Sequence, residues 1–71
     1  MNNPKLDLHG VKHEDVKIMV QEFVFHNQYH LPALIMCGNS NEMIRIAKES
    51  LNKINCEFED SRFGLIRVYN L

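Results

Sequence analysis

The stretch Ala33-Leu34-Ile35-Met36-Cys37-Gly38-Asn39-Ser40-Asn41 decides the reading of this chain. Five apolar residues in a row, without alternation, predict a short strand at the centre of a sheet or covered on both faces. The small polar turn that follows carries helix-capping chemistry, and Asn39 stands at capping-box spacing from Glu42. Beyond the turn, Ile44, Ala47, Leu51 and Ile54 recur on one face at helical period. A strand that passes through such a turn into an amphipathic helix is half of an α/β unit.

Working outward, residues 5–9 alternate: Leu6 and Leu8 face inward while Asp7 and His9 share the opposite side. Gly10 ends this strand. From about His13 the period changes to helical, with Val16, Met19, Val20, Phe23 and Val24 in one stripe. Glu14 and Asp15 suit the positive end of the helix dipole, and Leu31-Pro32 closes the segment. On the other side, residues 56–60 alternate with Cys56 and Phe58 inward. Residues 61–64 then read as a connection, and residues 65–71 as a last strand. The order βαβαββ predicts a two-layer α/β sandwich with two helices and a mixed four-stranded sheet. Its βαβ units imply parallel pairing and right-handed crossovers, and the terminal strands an antiparallel hairpin. Residues 1–4 form a short polar segment and residues 5–71 the domain.

At 71 residues the chain is one small domain, and 45% hydrophobic content supports a folded core rather than disorder. Eight Lys and Arg against nine Asp and Glu leave a net charge of −1. That balance excludes a strongly basic nucleic-acid binder but leaves room for a local basic patch. No apolar run approaches the roughly 20 residues that span a bilayer, and no signal peptide is read, so a cytoplasmic protein without membrane contact is expected. Cys37 and Cys56 form no CxxC pair, and no metal site is assigned.

Two constellations carry candidate chemistry. Asp7 and His9, two apart on a strand, can act as an acid–base pair, orient a water together, or share a divalent metal. Gly10 beside them permits close approach of a ligand. In the second, Gly38-Asn39-Ser40-Asn41 places backbone N–H groups at a helix start, where phosphate is attracted. If the first two strands are parallel, both motifs emerge at the same end of the sheet, where α/β domains bind ligands. Lys5, Lys12 and Lys48 would extend a basic rim there. His9 with His13, and His26 with His30, have the i,i+4 spacing of zinc ligands. The first pair straddles a strand end, and the second lacks a third ligand. Cys37 reads either as a thiol activated by the helix start or as a buried core residue. Ile18 and Phe25 form a second apolar strip on the first helix, a surface for self-association or protein contact.

Leu6-Asp7-Leu8-His9-Gly10 resembles the opening signature of the Smr (small MutS-related) domain family. The similarity continues in order and spacing. An apolar strand, Leu34-Ile35-Met36, runs into a loop, Cys37-Gly38-Asn39-Ser40; a helix carries Ile44-Arg45 near its start, and a last strand runs from Gly64 to Leu71. The resemblance implies the architecture of the initiation-factor-3 C-terminal domain and work on nucleic acid, including DNA nicking or RNA cleavage. It assigns cleavage to Asp7 and His9, the loop glycine to Gly38 and the helix arginine to Arg45. The chain departs from the family pattern at Cys37, where the loop has histidine, and at Ser40, where it has a second glycine. The expected function is nucleic-acid binding with endonuclease activity through Asp7 and His9. The alternative is a non-catalytic adaptor for a ribosome, a branched nucleic acid or a protein. In either case Gly10, Lys12, Gly38, Asn39, Ser40, Asn41, Arg45 and Lys48 are the expected nucleic-acid contacts.

Overall fold

The structure, a computed structural model, describes residues 3–71; Met1 and Asn2 of the short N-terminal segment lie outside the described residues. The elements run β1 (Lys5–Asp7), α1 (His13–His26), β2 (Ala33–Met36), α2 (Asn41–Lys53), β3 (Glu57–Arg62) and β4 (Leu65–Asn70). They make a two-layer α/β sandwich with a mixed four-stranded sheet in the order β1-β2-β4-β3. The β1–β2 pair is parallel, and β2–β4 and β4–β3 are antiparallel. β2 and β3 run in the same direction but are not neighbours, because β4 inserts between them. The second βαβ unit is therefore split, where contiguous parallel pairing was expected.

The core lies between the helices and one face of the sheet. Val16, Val20 and Val24 of α1 are fully buried, as are Ala47 and Leu51 of α2, against Ile35, Ile66 and Val68 of the strands. Each fully buried branched side chain contributes about 1.5–3 kcal/mol relative to exposure. β2 is central, but only alternate residues are fully buried: Ala33 and Ile35 face the helices, while Leu34 and Met36 lie half-buried on the open face. Gln21 Nε2 donates to the Ser50 carbonyl at 3.1 Å and ties α1 to α2.

Several boundaries differ from expectation for identifiable reasons. α1 ends at His26, well before Leu31-Pro32: Asn27 leaves helical geometry at φ −113°, ψ 18°, and its side-chain amide donates to the Phe23 carbonyl at 2.8 Å as the cap. Ser40, not Asn39, is the N-cap of α2: its Oγ accepts the Met43 N–H at 3.1 Å. Ser40 has φ −89°, so a residue with Cβ is unstrained where the family pattern has glycine. β3 continues through Arg62, and residues 61–64 tighten into a two-residue hairpin turn at Phe63-Gly64.

Candidate nucleic-acid site at the carboxyl ends of the first two strands

Parallel pairing brings the loops after β1 and β2 out at the same end of the sheet, and the N–H of Leu8 donates to the Met36 carbonyl at 2.9 Å. The β3–β4 hairpin turns at this end too, since β4 starts opposite the end of β2, Leu65 facing Met36. Asp7, Met36, Leu65 and Arg62 thus form one cross-strand row. Directly paired residues share a face. This row is on the side away from the helices.

β1 ends at Asp7, so His9 is not on the strand. Asp7 Oδ1 accepts the His9 backbone N–H at 2.9 Å and lies 2.5 Å from His9 Nδ1. The two residues meet through a local turn, not through strand alternation. The backbone N–H of His9, and then its ring, hold the Asp7 carboxyl below its ordinary value of 3.8. As a carboxylate, Asp7 accepts from Nδ1–H, and in the neutral imidazole that tautomer leaves Nε2 as the acceptor. Both side chains are more than half exposed, at 55% and 67%, so the pair adds little to stability and serves chiefly to orient the ring.

The His9 ring rests on Gly38. A Cβ on Gly38, at φ +70°, would lie 2.7 Å from His9 Nε2. Gly38 in turn is pressed by Gly64, where a Cβ would lie 2.0 Å from the Gly38 carbonyl oxygen. The Gly64 carbonyl accepts the Cys37 N–H at 2.7 Å. Two glycines therefore let the hairpin, the β2–α2 loop and the imidazole stack in contact.

This stack borders a cavity of about 310 Å³. His9 enters it from the first loop and Gly38 and Asn39 from the second. Arg62, Phe63 and Gly64 form the hairpin side, and Met36 and Leu65 the apolar floor. Arg62 forms no ion pair among the described residues. Phe63 is 63% exposed. Residues 61–64 read as a mere connection in the sequence; the signal that could have singled them out is an arginine and an aromatic beside the glycine of a tight hairpin.

The other expected contacts lie elsewhere. Gly10 and Lys12 are exposed in the turn before α1, and Asn41 opens α2. Arg45 donates to Glu42 and to Glu49, at 2.5 and 2.7 Å, so two carboxylates outweigh its charge. Their proximity raises the Arg45 pKa further and lowers that of Glu42. Lys48 Nζ meets Asp60 Oδ2 at 2.7 Å. Two of the expected cationic contacts, Arg45 and Lys48, are therefore paired with acid. Cys37 is 4% exposed, and burial pushes its thiol up, followed by the charge of Asp60; it is a core residue, not an activated nucleophile. Among the described residues, no group of three or more His, Cys, Asp or Glu is arranged to hold a metal ion. Ile18 and Phe25 are exposed on α1, at 61% and 47%. No helix among the described residues is long and apolar enough to cross a membrane.

Comparison with protein-family models, with curated proteins and with solved structures gives no match to this chain.

Proposed function

We propose that this chain is a Smr-like nucleic-acid-binding domain that cleaves RNA at the cavity beside His9, in a reducing cytoplasmic setting compatible with its two buried free cysteines. The observation that carries the reading is the Asp7–His9 pair: Asp7 engages Nδ1, and the opposite nitrogen, against Gly38, borders a cavity that Arg62 also lines. A base beside a cation is the minimum needed to attack a phosphodiester from a ribose 2′-hydroxyl.

His9 Nε2 takes the proton of the 2′-hydroxyl as its oxygen bonds to phosphorus. The bond to the 5′-oxygen breaks, and that oxygen takes a proton from water. Protonated His9 returns its proton to solvent, leaving a 2′,3′-cyclic phosphate and a 5′-hydroxyl. Arg62 neutralises the charge that develops on the phosphoryl oxygens. Loss of a general base lowers such rates by about 10²–10⁴-fold. Cleavage of labelled RNA by the wild type, Asp7→Ala and His9→Ala is the test; equal rates in all three overturn the assignment.

One observation favours a second reading. Cys37 stands at the loop-histidine position of the family pattern, and it is buried with a raised pKa, so it cannot replace that imidazole. A domain that binds without turnover, as an adaptor, is the corresponding outcome: salt-dependent retention of RNA with no product.

A further inference from the structure

The exposed ring at the hairpin tip takes no part in proton transfer at His9. Turns at the ends of strands are ordinarily built from Gly, Asn, Asp and Ser, which satisfy the backbone and favour water. Here the two turn residues are Phe63 and Gly64, and Phe63 leaves 63% of its surface in solvent, so it adds little to the core. A single exposed aromatic would need no explanation. Phe63, however, lines the same cavity as His9, next to an arginine that no carboxylate engages among the described residues. The other side of that cavity is the apolar floor of Met36 and Leu65.

We propose that Phe63 and Arg62 form a clamp for one unpaired nucleotide, the base stacking on the Phe63 ring over the Met36–Leu65 floor and its phosphate meeting the Arg62 guanidinium. The inference rests on the nucleic-acid reading of this site and specifies the form of the substrate. A cavity of about 310 Å³ is at the lower end of the roughly 300–1,000 Å³ typical of small-ligand sites, which suits one nucleotide and not a duplex. Base faces inside a duplex are covered by their neighbours, so an aromatic platform selects unstacked bases. The clamp draws on a single free cation and one ring, consistent with a chain of net charge −1 that cannot coat a backbone. Phe63 is then a positioning residue: it holds the nucleotide whose phosphate lies toward His9.

The test uses fluorescent 2′-O-methyl RNA, which lacks the attacking hydroxyl, as a single strand and as the matching duplex. The wild type binds the single strand more tightly than the duplex. Phe63→Leu, which keeps apolar bulk and loses the ring, weakens single-strand binding about 5- to 150-fold, the effect of removing one base–aromatic stack, and leaves duplex binding unchanged. The chain has no tryptophan, so Phe63→Trp introduces a sole reporter whose fluorescence is quenched as the single strand binds. Undiminished single-strand binding by Phe63→Leu, or an unquenched Phe63→Trp at saturation, overturns the clamp alone. Failure of the wild type to bind either probe overturns the nucleic-acid reading and the clamp with it.

Discussion

His9 and Gly38 are held so close that the glycine has no room for a side chain: a Cβ there would lie 2.7 Å from Nε2, the nitrogen opposite the one held by Asp7. The obstructing atoms belong to a half-free imidazole, which can swing aside. Gly38→Ala therefore costs on the order of 1 kcal/mol of stability, from an L residue at φ +70°. It also displaces His9 and lowers RNA cleavage to near the His9→Ala rate. Denaturant melts beside cleavage rates check this; cleavage at the wild-type rate in a folded Gly38→Ala shows that the contact does not position the ring.

Gly64→Ala is expected to be the more damaging change. Its Cβ would meet the Gly38 carbonyl oxygen at 2.0 Å, and a backbone atom cannot turn away. Strain at φ +81° and overpacking add to a loss of about 3 kcal/mol or more. Urea midpoints for the two alanine variants should fall in the order Gly64→Ala below Gly38→Ala below wild type.

Asp7 provides a pH signature with a fixed sign. Its folded pKa is depressed below 3.8, so its contribution to stability is present above that value and is lost as pH falls through the folded pKa, below about pH 4. The largest cause is the backbone N–H of residue 9, which His9→Ala retains. Carbon-13 titration of the Asp7 carboxyl in His9→Ala should show only a partial rise. A full return to 3.8 would assign the depression to the ring instead.

Arg45 and Arg62 are expected to respond differently to removal of their charge. Arg45→Gln, already flanked by Glu42 and Glu49, should change RNA affinity less than twofold. Arg62→Gln should weaken binding and reduce the magnitude of the log–log salt slope by about 0.7, one single-strand phosphate contact. Affinity measured over a salt series for both variants decides between them.

Ser40→Ala removes the acceptor for the Met43 N–H and should cost about 1 kcal/mol, whereas Asn39→Ala should leave the helix start intact. Thermal melts of the two variants, compared with wild type, report which residue is the cap.

Periodicity was enough to read α1, α2 and the alternation of the outer strands, because each buries one face against one layer: Val16, Val20 and Val24 do in space what their spacing predicts. Strand order was harder. Nothing in residues 57–62 reveals that β4 will lie between β2 and β3, since insertion of a strand is decided by long-range pairing such as Ile35 with Ile66. The juxtaposition of His9 with Gly38 followed from the parallel sense of β1 and β2. Arg62 and Phe63 were not read as site residues because their proximity to His9 comes from a hairpin distant in sequence. Conversely, Arg45 was an expected nucleic-acid contact through the family resemblance alone, and its i−3 and i+4 carboxylates on an exposed helix face engage it instead.

The central claim, that His9 held by Asp7 is the base at an RNA-cleaving site, is tested most directly by end-group analysis of RNA cut by purified protein. The wild type is expected to leave 2′,3′-cyclic phosphate and 5′-hydroxyl ends, His9→Ala to form them about 10²–10⁴-fold more slowly, and a substrate carrying a single 2′-deoxy sugar at the cleaved position to give no product there. Cleavage of the 2′-deoxy substrate at the same site and rate, or 5′-phosphate ends, would contradict it.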